Sequence, residues 1–296
     1  MLSQTAPAKV NLYLHVLGRR DDGRHDLDSL IVFAEFGDRV GVSIAPNLSL
    51  DVHGPFAGSL ESEHNNLVMS AARALQAITD TSQGAAVKLD KKIPVAAGLG
   101  GGSADAAAVL RLLAHLWKLD PAGGSVAEVA AGAGSDVAAC LRGGPCYVVG
   151  AGDTVDPVAD LPDAHAVLVN PGIALATGDV FAAFDERAAS GATRLILPIH
   201  GVAALAGQLV ARRNDLEPVA AAMVPEIGVA LRALNGLPGC LLARMSGSGA
   251  TCFGLFSRAG EAASGARVLQ GAHGDWWVRD TVLRGSSTLA PAQAAR

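Results

Sequence analysis

The sequence predicts an α+β protein of two domains. Three observations carry that expectation. The chain has 296 residues, enough for a large core and for more than one folding unit. Alternating apolar positions, the mark of half-buried strands, are interspersed with stripes at helical spacing. Loop signals at Gly150-Ala-Gly152-Asp153 and Asp160-Leu-Pro162-Asp163 then divide the series. The expected domains are residues 1–155 and 156–296.

The elements follow in order. Val10, Leu12, Leu14 and Val16 alternate with Asn11, Tyr13 and His15, which predicts a strand. Val40, Val42 and Ile44 repeat the pattern, as do Leu48, Leu50 and Val52. Leu67, Ala71, Ala74, Leu75 and Ile78 mark a helical face. Ala85, Val87 and Leu89 form a strand leading to Pro94 and a glycine-rich run. Val109, Leu112, Leu113 and Leu116 give the next helix, expected to start near Gly102 or Ser103. Gly132-Ala-Gly134-Ser-Asp136 interrupts a further helical segment, and Cys146 to Val149 read as a strand after the Gly143-Gly144-Pro145 turn. Beyond the boundary, strands are expected at Ala166–Val169, Leu241–Met245, Cys252–Phe256 and Trp276–Thr281. Helices are expected at Gly178–Phe184, 200–212, 225–235 and Ala259–Leu269, with a frayed end from Pro291 to Arg296.

Composition narrows the function. Half the residues are hydrophobic, 17% are charged, and mean hydropathy is +0.33. Alanine and glycine supply much of that value, and no run approaches the ~18–20 apolar residues of a membrane span. Met1 to Lys9 lacks a basic region followed by an apolar stretch, so no signal peptide is expected and the default location is the cytoplasm. Net charge is −5, with no dense basic cluster, and only 4% of residues are aromatic, which argues against a nucleic-acid partner. Cys140, Cys146, Cys240 and Cys252 show no C-x-x-C spacing and sit in apolar segments, as small buried side chains do. The eight histidines show no metal-binding spacing.

The most informative stretch is Pro94-Val95-Ala96-Ala97-Gly98-Leu99-Gly100-Gly101-Gly102-Ser103-Ala104-Asp105. Glycines let backbone N–H groups approach a ligand closely, and the start of the following helix favours an anion. The reading is a phosphate cradle. Two known cradles fail, however. No lysine lies beside the last glycine, and the third position of G-x-G-x-x-G counted from Gly98 holds Ser103. Glycine-rich turns before helices also serve plain packing, so the loop alone leaves both readings open. Other candidates are equally ambiguous one by one. Lys9 at a strand start, Asp136 as a helix cap, and Ser246-Gly247-Ser248-Gly249-Ala250-Thr251 as a hairpin loop all have bland explanations.

Taken together, Pro7-Ala-Lys9-Val-Asn11-Leu12, Pro94 to Asp105, and Ser246 to Thr251 resemble the three motifs of the GHMP small-molecule kinases along nearly the whole chain. Asp22-Gly-Arg24-His25-Asp-Leu-Asp-Ser-Leu30, Gly134-Ser-Asp136-Val137, Pro171-Gly172 with Thr177 and Phe181, and Arg213-Asn214-Asp215-Leu-Glu217 are similar to one branch. In that branch the acceptor alcohol is a cytidine-diphosphate-linked methylerythritol, an isoprenoid precursor. The resemblance implies a domain like that of ribosomal protein S5 followed by a ferredoxin-like domain, with the site in the cleft between them. ATP and Mg²⁺ are the implied cofactors, and the 2-hydroxyl of the methylerythritol is the implied acceptor.

Lys9 and Asp136 are the implied catalytic pair. Pro94 to Ala104 would hold the triphosphate, Asn66 and Lys91-Lys92 would lie near adenine, and Ser103 would reach the phosphates or Mg²⁺. Asp105 is either a metal ligand or a favourable first-turn charge. Asn11, His25, Arg24, Thr177, Phe181, Gly247 and Gly249 would meet the other substrate. Two positions depart from the family: Arg24 replaces a tyrosine that stacks on cytosine, and Ala138 replaces a proline. Arg24 could stack through its guanidinium, pair with the diphosphate or face solvent. A homoserine- or mevalonate-type kinase, a non-catalytic binding module and a dehydrogenase are the alternatives. The partner is a small molecule, and the chain is expected to be a monomer or homodimer.

Overall fold

Two long antiparallel strands, β1 (Leu2–Arg19) and β2 (His25–Ala45), organise the molecule. The computed structural model describes residues 1–60, 66–184, 194–287 and 293–294. β2 is the central strand. β1 runs along one edge, and β5 (Cys146–Gly150), β10 (Trp277–Arg284) and β4 (Gly84–Asp90) follow one another along the other. Alternation at residues 40–44 marks only one end of β2. Leu30, Ile31, Val32, Phe33 and Ala34 are all buried. Covered on both faces, that segment shows no period of two.

In the first half, α1 (Leu67–Ile78), α2 (Gly101–Leu116), α3 (Gly124–Ala133) and α4 (Ser135–Arg142) pack on one another, with α2 against β1 and β2. α2 is buried continuously from Ala104 to Ala114, not along one stripe. Ala104, Ala106, Ala107 and Ala108 are small enough to let neighbouring elements close around it. β3 (Ser49–His53) pairs in parallel with β4, and β6 (Thr154–Pro157) extends β5.

The second half contains β7 (Ala164–Asn170), β8 (Cys240–Met245) and β9 (Cys252–Phe256). The spatial order is β10-β7-β9-β8, with antiparallel neighbours. α5 (Thr177–Ala183), α6 (Val202–Val210), α7 (Glu217–Met223) and α8 (Glu226–Asn235) connect β7 to β8, and α9 (Ala259–Ala272) connects β9 to β10. That βαββαβ order is ferredoxin-like. Leu283 and Arg284 of β10 pair with Ala34 and Phe33 of β2, so one sheet runs through both halves.

At the chain end, Gln293 and Ala294 form β11 against Ser3 and Leu2, where fraying was expected. The rest of that expected segment lies outside the described residues. All four cysteines are free thiols; Cys140, Cys146 and Cys252 are buried, and Cys240 is partly buried. Among the described residues no helix is long and apolar enough to cross a membrane.

Candidate active site

β4 delivers the chain to the glycine loop, and α2 begins at Gly101, slightly earlier than the sequence suggests. Gly100, in the left-handed region at φ 60°, makes the turn into the helix. The loop is held by its carbonyls. Leu175 N–H donates to Ala96 O at 3.4 Å, Thr251 N–H to Ala97 O at 3.2 Å, and Lys9 N–H to Leu99 O at 2.8 Å. Ser246 Oγ donates to Gly98 O at 3.0 Å. In a planar trans peptide the next N–H points away from the carbonyl. The protein therefore takes the C=O side of the loop and turns the N–H side outward.

The loop borders a cavity of about 860 Å³. Pro94, Val95, Ala96, Ala97, Gly98, Gly100, Gly101, Gly102 and Ser103 line it, together with Lys9, Asn11, Asn66, Asp136, Thr177, Phe181 and Gly247. Asn66 also caps α1, its Oδ1 accepting from Val68 N–H at 2.9 Å. Arg24 and His25 line a neighbouring cavity instead, and three expected site residues line neither. Leu99 and Ala104 are buried in the core and act through their backbone: Leu99 O receives Lys9 N–H, and Ala104 N–H donates to Gly100 O. Gly249 faces the core of the second half, where an added Cβ would meet Met245 Sδ at 2.7 Å.

On the cavity wall Lys9 Nζ lies 3.1 Å from Asp136 Oδ2. The lysine side chain is 6% exposed and the aspartate 38%, so the carboxylate is the accessible member. Asp136 is in the first turn of α4, but the cap position is Gly134 and Asp136 pairs with Lys9. Strand geometry puts Lys9 and Asn11 on one face, and register shifts flank them between Pro7 and Lys9 and between Asn11 and Tyr13. Lys9 Nζ also donates to Asn11 Oδ1 at 2.9 Å.

A second cavity of about 510 Å³ adjoins the first, sharing Leu27, Ser135 and Phe181. His25 stacks on Phe181 with ring centres 5.1 Å apart, and Phe184 meets His25 edge-on at 6.2 Å. Arg24 lines this cavity while its Nη2 and Nε donate to Asp22 Oδ2 at 2.7 and 3.0 Å. Thr177 Oγ1 lies 2.9 Å from Ser248 Oγ in the wall of the first cavity.

Some site residues have no role that the sequence assigns. Ser29 follows Asp28 at the edge of an apolar run, and Asn214 Nδ2 donates to Met245 O and Gly247 O to shape the second glycine loop. Asp105 lies beyond the first turn of α2, so it is not a first-turn charge. It is buried at the root of the loop, with Lys91 Nζ 2.8 Å from its Oδ2. Lys91 also donates to Asp38, which accepts the Lys92 and Ile93 N–H groups as well. Burial pushes the Asp105 carboxyl up to about 7 despite the attraction of Lys91. Lys91 is thus committed to two carboxylates, and Lys92 pairs with Asp90 at 3.0 Å. Among the described residues no group of three or more His, Cys, Asp or Glu could hold a metal ion.

These features set a glycine loop beside a lysine–carboxylate pair, and the chain that carries them matches known families. The GHMP kinases N terminal domain matches residues 66–144, and the GHMP kinases C terminal domain matches residues 199–275. The chain belongs to the GHMP kinases. A 4-diphosphocytidyl-2-C-methyl-D-erythritol kinase of Parvibaculum lavamentivorans is 47% identical over 286 residues, 96% of this chain and 99% of the relative. The enzyme of that name from Paramagnetospirillum magneticum is 48% identical over 278 residues, 94% of this chain and 97% of the relative. A crystal structure of a 4-(cytidine 5'-diphospho)-2C-methyl-D-erythritol kinase superposes with a TM-score of 0.76 at 33% identity, covering 96% of this chain and all of that one. Within the GHMP kinases the chain is a member of the 4-diphosphocytidyl-2-C-methyl-D-erythritol kinase family.

Proposed function

We propose that this kinase transfers the γ-phosphate of ATP to the 2-hydroxyl of 4-diphosphocytidyl-2-C-methyl-D-erythritol, a step toward isoprenoid precursors. The observation that carries the reading is the Lys9–Asp136 pair, 3.1 Å apart beside the glycine loop. An alcohol is a poor nucleophile until its proton leaves. Asp136, the exposed member of the pair, accepts that proton. Lys9 orients the hydroxyl and offsets charge that develops during transfer.

Outward-facing N–H groups of the loop and the start of α2 bind the triphosphate without a lysine of their own. Phosphoryl transfer depends mainly on such positioning and charge stabilisation. Ser103, at the third position of α2 and in the cavity wall, fits a Mg²⁺ that ATP carries in. The ion would neutralise phosphate charge, and Ser103 would contribute a hydroxyl ligand. Asn66 lies toward the base of the nucleotide. The cytidyl group fills the second cavity against His25 and Phe181, with Arg24 at its margin, and Thr177 and Gly247 meet the alcohol from the wall of the first cavity.

Residues 1–155 supply the loop and the catalytic pair in this reading, and residues 156–296 close the substrate side. The enzyme works in the cytoplasm as a monomer or homodimer and has no nucleic-acid partner, which its net charge of −5 supports. The test is ATP consumption with the cytidyl-linked alcohol, homoserine and mevalonate in parallel. Turnover confined to the first supports the assignment, and preference for either of the others overturns it.

A further inference from the structure

We propose that Ser29 is a positioning residue that sets the amide of Asn11, and through it the ammonium of Lys9. The inference rests on the kinase reading above for its kinetic consequence, though its structural part stands without that reading. Ser29, Asn11 and Lys9 are all buried, at 2%, 4% and 5% exposure. Ser29 Oγ lies 2.6 Å from Tyr13 O, Asn11 Nδ2 lies 2.8 Å from Ser29 Oγ, and Lys9 Nζ lies 2.9 Å from Asn11 Oδ1.

The direction of every bond in this chain is forced. A backbone carbonyl only accepts, so the Ser29 hydroxyl spends its single proton on Tyr13 O. Its oxygen is left as an acceptor, and the partner facing it must donate, which turns the NH₂ end of Asn11 toward Ser29. The carbonyl end of Asn11 then faces Lys9, whose ammonium only donates. Both ends of the chain demand the same amide orientation. The opposite flip would set NH₂ against NH₃⁺ and oxygen against oxygen.

Lys9 is therefore held from two sides, by Asp136 and by an amide oxygen that cannot rotate away. Removing the Ser29 hydroxyl leaves a buried Asn11 donor without a partner, and a buried polar group in that condition reorients. A free Asn11 amide no longer fixes the ammonium beside Asp136. Ser29 lines the first cavity and not the second, and its hydroxyl is spent on Tyr13 and Asn11, so the loss should fall on the transfer step.

Ser29→Thr and Ser29→Val test this directly, since their side chains share one shape and differ by the hydroxyl. Ser29→Thr is expected to keep kcat close to wild type, and Ser29→Val to lose about tenfold, the scale of one buried hydrogen bond. KM for ATP should not change in either. The Val substitution should add no further loss when Asn11 is already alanine. The side-chain amide of Asn11, followed by NMR in the ligand-free enzyme, should lose its protection from hydrogen exchange only in Ser29→Val. Equal kcat for the two variants, or an Asn11 amide unchanged by Ser29→Val, overturns the proposal. A raised KM for the alcohol with unchanged kcat also overturns it, because Ser29 would then be a direct substrate contact. If the wild-type enzyme fails to phosphorylate the cytidyl-linked alcohol, the functional reading fails, and the NMR comparison still decides the role of Ser29.

Discussion

Gly98 and Ser246 meet where two distant glycine motifs cross. Ser246 Oγ donates to Gly98 O at 3.0 Å while the same oxygen accepts Asn11 N–H at 3.1 Å. One buried hydroxyl thus ties the phosphate loop, the strand that carries Lys9 and the second glycine loop into a single unit. A Cβ on Gly98 would lie 2.4 Å from Ser246 O and 2.7 Å from Gly249 O, at a φ of +73°.

Gly98→Ala should therefore lower the melting temperature, with a cost of about 2–4 kcal/mol from overpacking and left-handed strain together. Gly102→Ala is the contrast, since nothing lies within 4 Å of its added Cβ and it lines the cavity. That variant should melt like wild type and bind ATP more weakly. Equal melting temperatures for the two variants would contradict the packing account.

Asp136→Asn should keep ATP affinity and lose turnover by about 10²–10⁴, the usual contribution of a positioned proton acceptor. Single-turnover measurements separate transfer from product release. A variant with near-normal transfer would remove Asp136 from the chemistry.

Phe181→Ala removes the ring stacked on His25. It should raise KM for the cytidyl-linked alcohol about tenfold, the scale of an aromatic contact, with KM for ATP unchanged. Arg24→Ala should change that KM less, because Asp22 already holds the guanidinium in an exposed position. Steady-state kinetics with each substrate varied in turn checks both.

Burial pulls the His15 imidazole below its ordinary value near 6.5, against the attraction of Asp215 and Asp28 and with repulsion from Arg213 and Arg212. The unfolded chain takes up a proton as pH falls through about 6.5, whereas the folded chain resists. His15 therefore stabilises the fold above that pH and loses its contribution as pH falls toward its lowered folded value. Melting temperature should fall between about pH 7.5 and about pH 5.5, and fall less in His15→Gln. The same fall in both would show that other groups dominate.

Much of this molecule is legible in its sequence where one face of an element is wet. The helix at Leu67–Ile78 and the strands at Cys240–Met245 and Cys252–Phe256 lie within about a residue of their expected bounds. The pattern fails where burial is complete. Leu30 to Ala34 carry no alternation because sheet neighbours and cores cover both faces, and α2 shows a weak stripe because its alanines are enclosed. For the site, spacing identifies the glycine loop, while Lys9 and Asp136 become informative only beside the other motifs. Ser29 and the Asp38–Lys91–Asp105 cluster stay hidden, because a serine or a lone charge acquires meaning from a partner far away in the chain. Gly249 shows the reverse case: it shares a motif with Gly247 but faces the core.

The most direct test of the central claim compares two acceptors that present the same hydroxyl. ATP turnover is measured with 4-diphosphocytidyl-2-C-methyl-D-erythritol and with the same methylerythritol alcohol lacking the cytidyl group. The account predicts a far higher kcat/KM for the cytidyl-linked alcohol, because His25 and Phe181 bind the portion that the other lacks. Equal kcat/KM for the two would contradict it.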